Sequence, residues 1–471
     1  MIPAGLMRVK ASGEDSEEIH CVVMISNRVS RWTPLFFAFA LANFLAAQGL
    51  IVAGLTWPAQ AALAPGTLVA VHLLSIGWLL LLMLGALFQF VPVITSTPLP
   101  SQHLALATLV AVQGGLVGMI CGFLGITGVL PGHVRALPAG GGAVFAGVLI
   151  ASWNVGVPLI RGRPLTLPAR LVLTGLGFLL LTVLLGLTFA LALTVPALAS
   201  RLAPLLAGVG DHALAGLGGW FTLAAMGVSY KLLPMFMLAP EERGRTGDWV
   251  HGLGTAGFSL AIAAGLATIW LPAAFLRAVE VAGYALIAGA VALYLWDVVR
   301  IYRTRKRPII EAHNRCAVGA FGFLGIAATV GLGSLIAGRL AEAAPVLIFL
   351  IVFGWLGGLG LTQLYKIIPF LTWLNRFGSS LGRGAVPRVQ DLVKESRSYP
   401  WFICYFLGVL LAALAAAFDW RIAFQSAFAL IPLATLGLAM EYLRAWRCHY
   451  AHQRPAAPAV PPFLHQPRGP S

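Results

Sequence analysis

The chain has 471 residues, of which 59% are hydrophobic and only 10% are charged, and its formal net charge is +15. Soluble domains carry about 25% charged residues, so this composition excludes an ordinary soluble protein and indicates a polytopic membrane protein. The basic excess does not indicate nucleic-acid binding, because no basic soluble domain accompanies it. The apolar runs are continuous rather than alternating, which excludes a transmembrane barrel.

Twelve apolar runs are each long enough to cross about 30 Å of hydrocarbon as a helix. The predicted spans are 33–55, 68–94, 103–129, 138–160, 168–195, 212–238, 249–271, 274–299, 315–338, 343–372, 400–417 and 420–443. The sequence thus divides into a cytoplasmic N-terminal segment, 1–32, a twelve-helix transmembrane domain, 33–445, and a cytoplasmic Pro-rich tail, 446–471.

Lysine and arginine are distributed unevenly over the predicted loops. With the N-terminus in the cytoplasm, 24 basic residues lie on the cytoplasmic side and five on the other, while Lys231 and Lys366 lie inside spans. By the positive-inside rule, this asymmetry predicts a multi-pass protein of the cell's inner membrane with both termini cytoplasmic. The two intramembrane lysines lie about one turn from the inner boundary and are predicted to reach the lipid phosphates. The alternative is a role in a proton path.

Three of the spans carry the same phrase, which is Gly-Trp, thirteen further residues and then Pro. The copies are Gly77-Trp78 to Pro92, Gly219-Trp220 to Pro234 and Gly354-Trp355 to Pro369. They lie on the second, sixth and tenth helices, so they predict three four-helix units related by a pseudo-threefold axis. Small residues seven positions after the first two Trp residues, Gly85 and Gly227, predict the close approach of a neighbouring helix.

Two intramembrane histidines precede the phrases, and each is a candidate ligand for heme iron or copper. His72 lies about one turn inside the outer surface of the second helix, with apolar and small neighbours, so its ring needs a partner from another helix or a metal. His212 follows Asp211 at the predicted outer end of the sixth helix. The alternative for His72 is a hydrogen-bonded packing histidine, and the alternative for His212 is an interfacial or helix-starting role. Relative to their Trp residues, the two positions differ by a rotation of about 200° on an α-helix, so the rings need not share one site.

With twelve helices in three units and these two histidines, the chain resembles the catalytic subunit of the heme-copper oxidases, the related nitric oxide reductases and the NnrS membrane proteins. The resemblance is one of helix number and arrangement, and it covers most of residues 33–445. It implies an all-α membrane fold of about twelve helices, with a pseudo-threefold arrangement of four-helix units as in heme-copper oxidase subunit I. It also implies His72 in the place of a heme ligand, His212 in the place of a copper ligand, and heme b, copper or both as cofactors.

The chain departs from that family at the dioxygen site. The family has a His-His pair on its seventh helix and His-x-His on its tenth, whereas here the seventh predicted helix has only His251, at its cytoplasmic start, and the tenth has none. The resemblance therefore implies a membrane protein that binds heme, copper or both, is linked to nitric oxide or respiratory metabolism and lacks a complete oxidase site. If it is an enzyme, the resemblance implies an oxidoreductase other than a terminal oxidase. The sequence does not identify its electron donor.

Other polar residues allow different interpretations. His313 and Cys316 are residue types that bind zinc or copper, but they lack the paired spacing of a metal site. We therefore expect them to lie on the solvated surface. We expect Glu280 to form an ion pair with Arg277; the alternative is that Glu280 belongs to a proton or ion site. The alternative functions are therefore a membrane transporter or channel, for which a buried acid would be the site, and a non-catalytic assembly subunit.

Overall fold

The apolar runs form twelve long helices in the computed structural model, which describes residues 31–241, 244–271, 273–380 and 386–449. In chain order the helices are α1 Thr33–Val52, α2 Pro65–Thr95, α3 Gln102–Ile126, α4 Ala136–Arg161, α5 Leu167–Thr194, α6 Pro196–Met237, α7 Arg245–Thr268, α8 Ala274–Thr304, α9 Ala312–Ile336, α10 Leu340–Phe377, α11 Glu395–Ala417 and α12 Arg421–Trp446. The prediction of an all-α polytopic membrane protein is confirmed. The predicted terminal segments, 1–32 and 446–471, lie almost entirely outside the described residues.

The predicted start of the sixth helix was wrong. The helix begins at Pro196 rather than at residue 212, and its first part includes a 3₁₀ stretch, Ala203–Gly208. The prolines, Arg201 and the glycines of this region look like a loop in the sequence, yet proline is compatible with the first turn of a helix because its missing N–H would be unpaired there. His212 therefore lies within the helix and not at its start.

The twelve helices repeat one packing pattern three times. The first helix of each unit packs along the second, giving the pairs α1 with α2, α5 with α6 and α9 with α10. The remaining helices form three hairpins with extensive contact, α3 with α4, α7 with α8 and α11 with α12. We call the side that carries the 162–166 and 305–311 loops the basic side, and the other side the opposite side.

A π-helical segment interrupts the second helix of every unit. The three segments are Leu73–Leu80, Leu214–Thr222 and Leu350–Gly357, and each contains the Gly-Trp of its repeat. Every one of them contacts the other two, so α2, α6 and α10 surround a common axis. Long π-helical segments are rare and often occur at functional sites. The repeat in the sequence therefore corresponds to a threefold repeat in space.

The Gly-Trp pair explains how the helices of a unit fit together. The three Trp side chains are fully buried. In each unit the preceding glycine faces a side chain of the first helix, and a Cβ there would come within 2.6 Å of it: Gly77 against Asn43, Gly219 against Phe178 and Gly354 against Phe323. The predicted close approach at Gly85 and Gly227 is also present, because a Cβ at these positions would lie 2.8 and 2.9 Å from side chains of α1 and α5.

Candidate functional site

His72 and His212 lie in the halves of α2 and α6 nearer the opposite side, just before the π-helical segments. Both side chains are partly buried. The ring of His72 lies 5.1 Å from that of Phe123 in α3, and the ring of His212 lies 5.5 Å from that of Phe189 in α5. Each imidazole is thus held in an aromatic environment between its own helix and a neighbouring one.

The two imidazoles are anchored in the same way. His72 Nδ1 lies 2.7 Å from the carbonyl oxygen of Leu68, and His212 Nδ1 lies 3.0 Å from that of Thr182. A carbonyl oxygen only accepts, so in the neutral ring Nδ1 carries the hydrogen and Nε2 keeps its lone pair. Among the residues that the structure describes, neither Nε2 has a hydrogen-bond partner. This is the tautomer that metal-ligating histidines adopt when a carbonyl orients them.

His72 and His212 lie at corresponding ends of α2 and α6, next to π-helical segments that contact each other. The rotation of about 200° expected for an α-helix does not apply, since most residues between each His and its Trp are π-helical.

Asp211 does not orient His212, because the carbonyl of Thr182 in α5 occupies Nδ1. The Asp211 carboxylate instead packs against Gly265 of α7, where a Cβ would lie 2.2 Å from Oδ1, and it interacts electrostatically with Glu280. Glu280 Oε1 accepts a hydrogen bond of 3.2 Å from the Tyr284 hydroxyl. No ion pair joins Glu280 to Arg277 in the described part of the chain, so that prediction was wrong.

Each of the two histidines offers one imidazole nitrogen, a ligand type that heme iron and copper accept. Within the described ranges, no cluster of three or more His, Cys, Asp or Glu side chains has the arrangement of a metal site. A tetrahedral zinc site, which needs three or four protein ligands, is therefore not formed by these residues. Two free Nε2 atoms suit the axial ligation of heme iron or a copper ion of low coordination number. His251, on the basic side, has its Nε2 3.1 Å from the Thr174 hydroxyl.

A buried acid in α8 was missed by the sequence analysis. Asp297 is completely buried, and its Oδ2 accepts a hydrogen bond of 2.8 Å from the Tyr230 hydroxyl. Its Oδ1 lies 3.3 Å from a guanidinium nitrogen of Arg300, which is partly exposed. Asp297 falls inside the predicted span 274–299, so its position within an apolar run was the available signal. Its partner Tyr230 lies between Trp220 and Pro234 of the second repeat, next to Lys231.

The repeated lysines form ion pairs on the basic side. Lys231 Nζ lies 2.6 Å from Glu241, and Lys366 Nζ lies 2.5 Å from Glu311. The Lys366 side chain is only 15% exposed, so it does not extend to lipid phosphates, contrary to the prediction. The partner of Lys366 could not be identified from the sequence, because Glu311 precedes a different helix, whereas Glu241 lies shortly after Lys231 in the chain.

Glu311 is the centre of a polar cluster at the basic end of α9 and α10. Its carboxylate also pairs with Arg307 and accepts a hydrogen bond of 3.2 Å from Gln390. His313 lies beside it and is only 2% exposed, so the prediction that His313 is solvated surface was wrong. Burial raises the pKa of Glu311, but the charge and hydrogen bond of Lys366 and the charge of Arg307 outweigh burial and hold this pKa below its ordinary value.

Neither a protein-family model nor a curated protein matches the chain. The interpretation of the site therefore rests on its geometry alone.

Proposed function

We propose that this chain is a membrane redox protein that holds heme b, copper or both through His72 and His212. The observation that carries the proposal is the shared geometry of the two rings, each with Nδ1 on a backbone carbonyl and Nε2 without a partner. Placing an imidazole inside a membrane is costly, and leaving its lone pair unused adds to that cost. A metal on Nε2 would satisfy both rings.

The two cofactors make different demands on this pair. A heme needs an imidazole on one or both faces of its iron, and the protein then sets its redox potential through ligand identity and burial. Copper would use the two imidazoles directly, with any further ligand supplied from outside the protein. The bound group would supply one-electron chemistry, and the chain would position it within the membrane and shield it from water.

The resemblance to nitric oxide reductases and NnrS proteins directs the substrate test to nitric oxide. We propose a place in nitrogen-oxide or respiratory metabolism, in the inner membrane with both termini in the cytoplasm. The chain lacks the additional histidines of a dioxygen site, so terminal oxidase activity is not part of the proposal. Turnover would require an external electron donor.

The proposal is tested on detergent-purified full-length protein. We expect a reduced-minus-oxidised visible spectrum typical of heme b, or stoichiometric copper, in the wild type and its loss in His72→Ala and His212→Ala. His251→Ala is the control, because His251 hydrogen-bonds Thr174 on the basic side and should retain the cofactor. Addition of nitric oxide to the reduced protein should shift a heme spectrum. Equal retention in His72→Ala and wild type would contradict the proposal.

A second pair of variants tests the position of the His212 ring. A Cβ on Gly186 would lie 3.0 Å from His212 Cε1, whereas a Cβ on Gly177 of the same helix would have no atom within 4 Å. Gly186→Ala should therefore alter the electron paramagnetic resonance spectrum or the cofactor content, and Gly177→Ala should not. Identical spectra in both variants would indicate that His212 is not a ligand.

A transporter is the second candidate function, and the completely buried Asp297 is the observation that favours it. Ionisable residues inside membranes often mark proton or ion pathways. A colourless, metal-free protein that supports proton-coupled uptake in proteoliposomes, with uptake lost in Asp297→Asn, would establish this function. A colourless protein without uptake that co-purifies with a stable partner would favour an assembly subunit.

A further inference from the structure

A cavity of about 70 Å³ lies between α2, α6 and α10 on the basic side of the buried Trp residues. Residues at equivalent positions of the three repeats line it in four tiers, which come one, five, eight and twelve residues after each Trp. The tiers are Leu79, Phe221 and Leu356; Met83, Ala225 and Gly360; Ala86, Val228 and Gln363; and Phe90, Leu232 and Ile367. Residues at these four positions lie on one face of a helix. The equivalent faces of α2, α6 and α10 therefore meet around the cavity, which places it on the threefold axis.

Differences between the repeats explain why this space is not filled. The first and last tiers contain only large side chains, which lie at the two ends of the cavity. The middle tiers each combine larger residues with small ones, namely Ala225, Gly360 and Ala86. A Cβ at Gly360 would lie 2.5 Å from Leu82, so α10 approaches α2 there. The void is thus built into the sequence of the three equivalent faces.

The wall of the cavity is made almost entirely of carbon atoms. Ser229 and Gln363 are its polar residues, but they contribute little polar surface to the space. The Gln363 Oε1 atom is buried and has no hydrogen-bond partner among the described residues. A bound water needs about two to four polar partners, so the cavity favours an apolar occupant over water.

We propose that the axial cavity binds one small, uncharged apolar molecule, of the size class of a noble gas or a diatomic gas. Its volume is about half that of an engineered apolar cavity of about 150 Å³ that binds benzene or xenon, so ligands larger than a few heavy atoms are excluded. The surrounding bilayer concentrates apolar solutes next to the protein. This binding site does not depend on the cofactor proposed for His72 and His212.

Xenon is the probe that tests the site, using full-length protein in lipid nanodiscs. Under xenon pressure, we expect xenon density on the axis between Ala86, Ala225 and Gly360 in the wild type. Ala225→Leu should reduce xenon occupancy at least tenfold by filling the middle of the cavity. Ala282→Leu adds the same atoms to an exposed position of α8 and should leave the occupancy unchanged.

Ala86→Leu fills the same space from α2, so it provides a second filled variant if Ala225→Leu does not fold. Xenon retained in a folded filled variant would place its binding elsewhere and overturn the proposal. Continuous density of a lipid chain or of water in the wild-type cavity, or no xenon at the axis, would also overturn it. The visible spectrum is recorded separately, because loss of the xenon site leaves the cofactor proposal unaffected.

Discussion

Replacing the glycine that precedes Trp220 should weaken the contact between α5 and α6. In Gly219→Ala, the new Cβ would lie 2.5 Å from Cγ of Phe178 and 2.8 Å from its Cβ and Cδ1. Carbon atoms pack favourably at about 3.5–4.0 Å, so the two helices would have to separate by about 1 Å. The contacted atoms are close to the backbone of Phe178, so a rotamer change of the ring cannot remove the clash.

The expected magnitude follows from two opposing effects. Overpacking of this kind typically costs about 1–3 kcal/mol of folding free energy. Alanine exceeds glycine in helix propensity by about 1 kcal/mol, which offsets part of that cost. Gly177→Ala provides the matched control, because Gly177 is exposed on α5 and a Cβ there meets no atom within 4 Å. The control gains propensity without a clash, so Gly219→Ala should be less stable than Gly177→Ala by about 1–3 kcal/mol.

Reversible unfolding by sodium dodecyl sulfate in mixed micelles measures this difference. The equivalent variants Gly77→Ala and Gly354→Ala should show losses of similar size, because each new Cβ would lie 2.6 Å from a side chain of the preceding helix. A Gly219→Ala protein as stable as Gly177→Ala would refute the packing argument. A loss in only one of the three repeats would show that the units are not equivalent.

Three further predictions address topology, pH and the cavity. In intact cells and a cysteine-free background, an impermeant maleimide should label cysteine at Ala62 and not at Ile309; the reverse pattern would contradict the proposed orientation. Because the pKa of Glu311 is lowered in the folded protein, its ion pairs stabilise the fold fully at pH values above the ordinary carboxyl pKa of 4.5. This contribution is lost as the pH falls through the lowered pKa of the folded state. Thermal unfolding measured at decreasing pH should therefore show a smaller acid-side loss in Glu311→Gln than in wild type, and equal losses would exclude this role. A filled cavity stabilises a protein by about 24 cal/mol per Å³, so filling the axial cavity of about 70 Å³ would stabilise Ala225→Leu by at most about 1.7 kcal/mol. The same detergent unfolding measures this gain, and Ala282→Leu should be neutral. A destabilised Ala225→Leu would show that the cavity cannot accept the larger side chain.

The sequence predicted the helical membrane class, all twelve helices and the threefold repeat. It could do so because a membrane span must satisfy its backbone hydrogen bonds internally, and its length is visible as an apolar run. The Gly-Trp phrase also indicated which helices are equivalent. The start of α6 at Pro196 was not predicted, because its prolines and glycines are compatible with both a loop and a helix start.

Only the tertiary structure determined how the candidate site is formed. The carbonyl that orients His212 belongs to Thr182 of another helix, and the carboxylate that pairs with Lys366 is Glu311, which is distant in sequence. The placement of His72 and His212 also depends on π-helical segments and on the arrangement of helices about an axis, neither of which residue spacing specifies. Hydrophobic patterns determine which segments enter the membrane, whereas side-chain packing between segments distant in sequence determines which polar groups meet there.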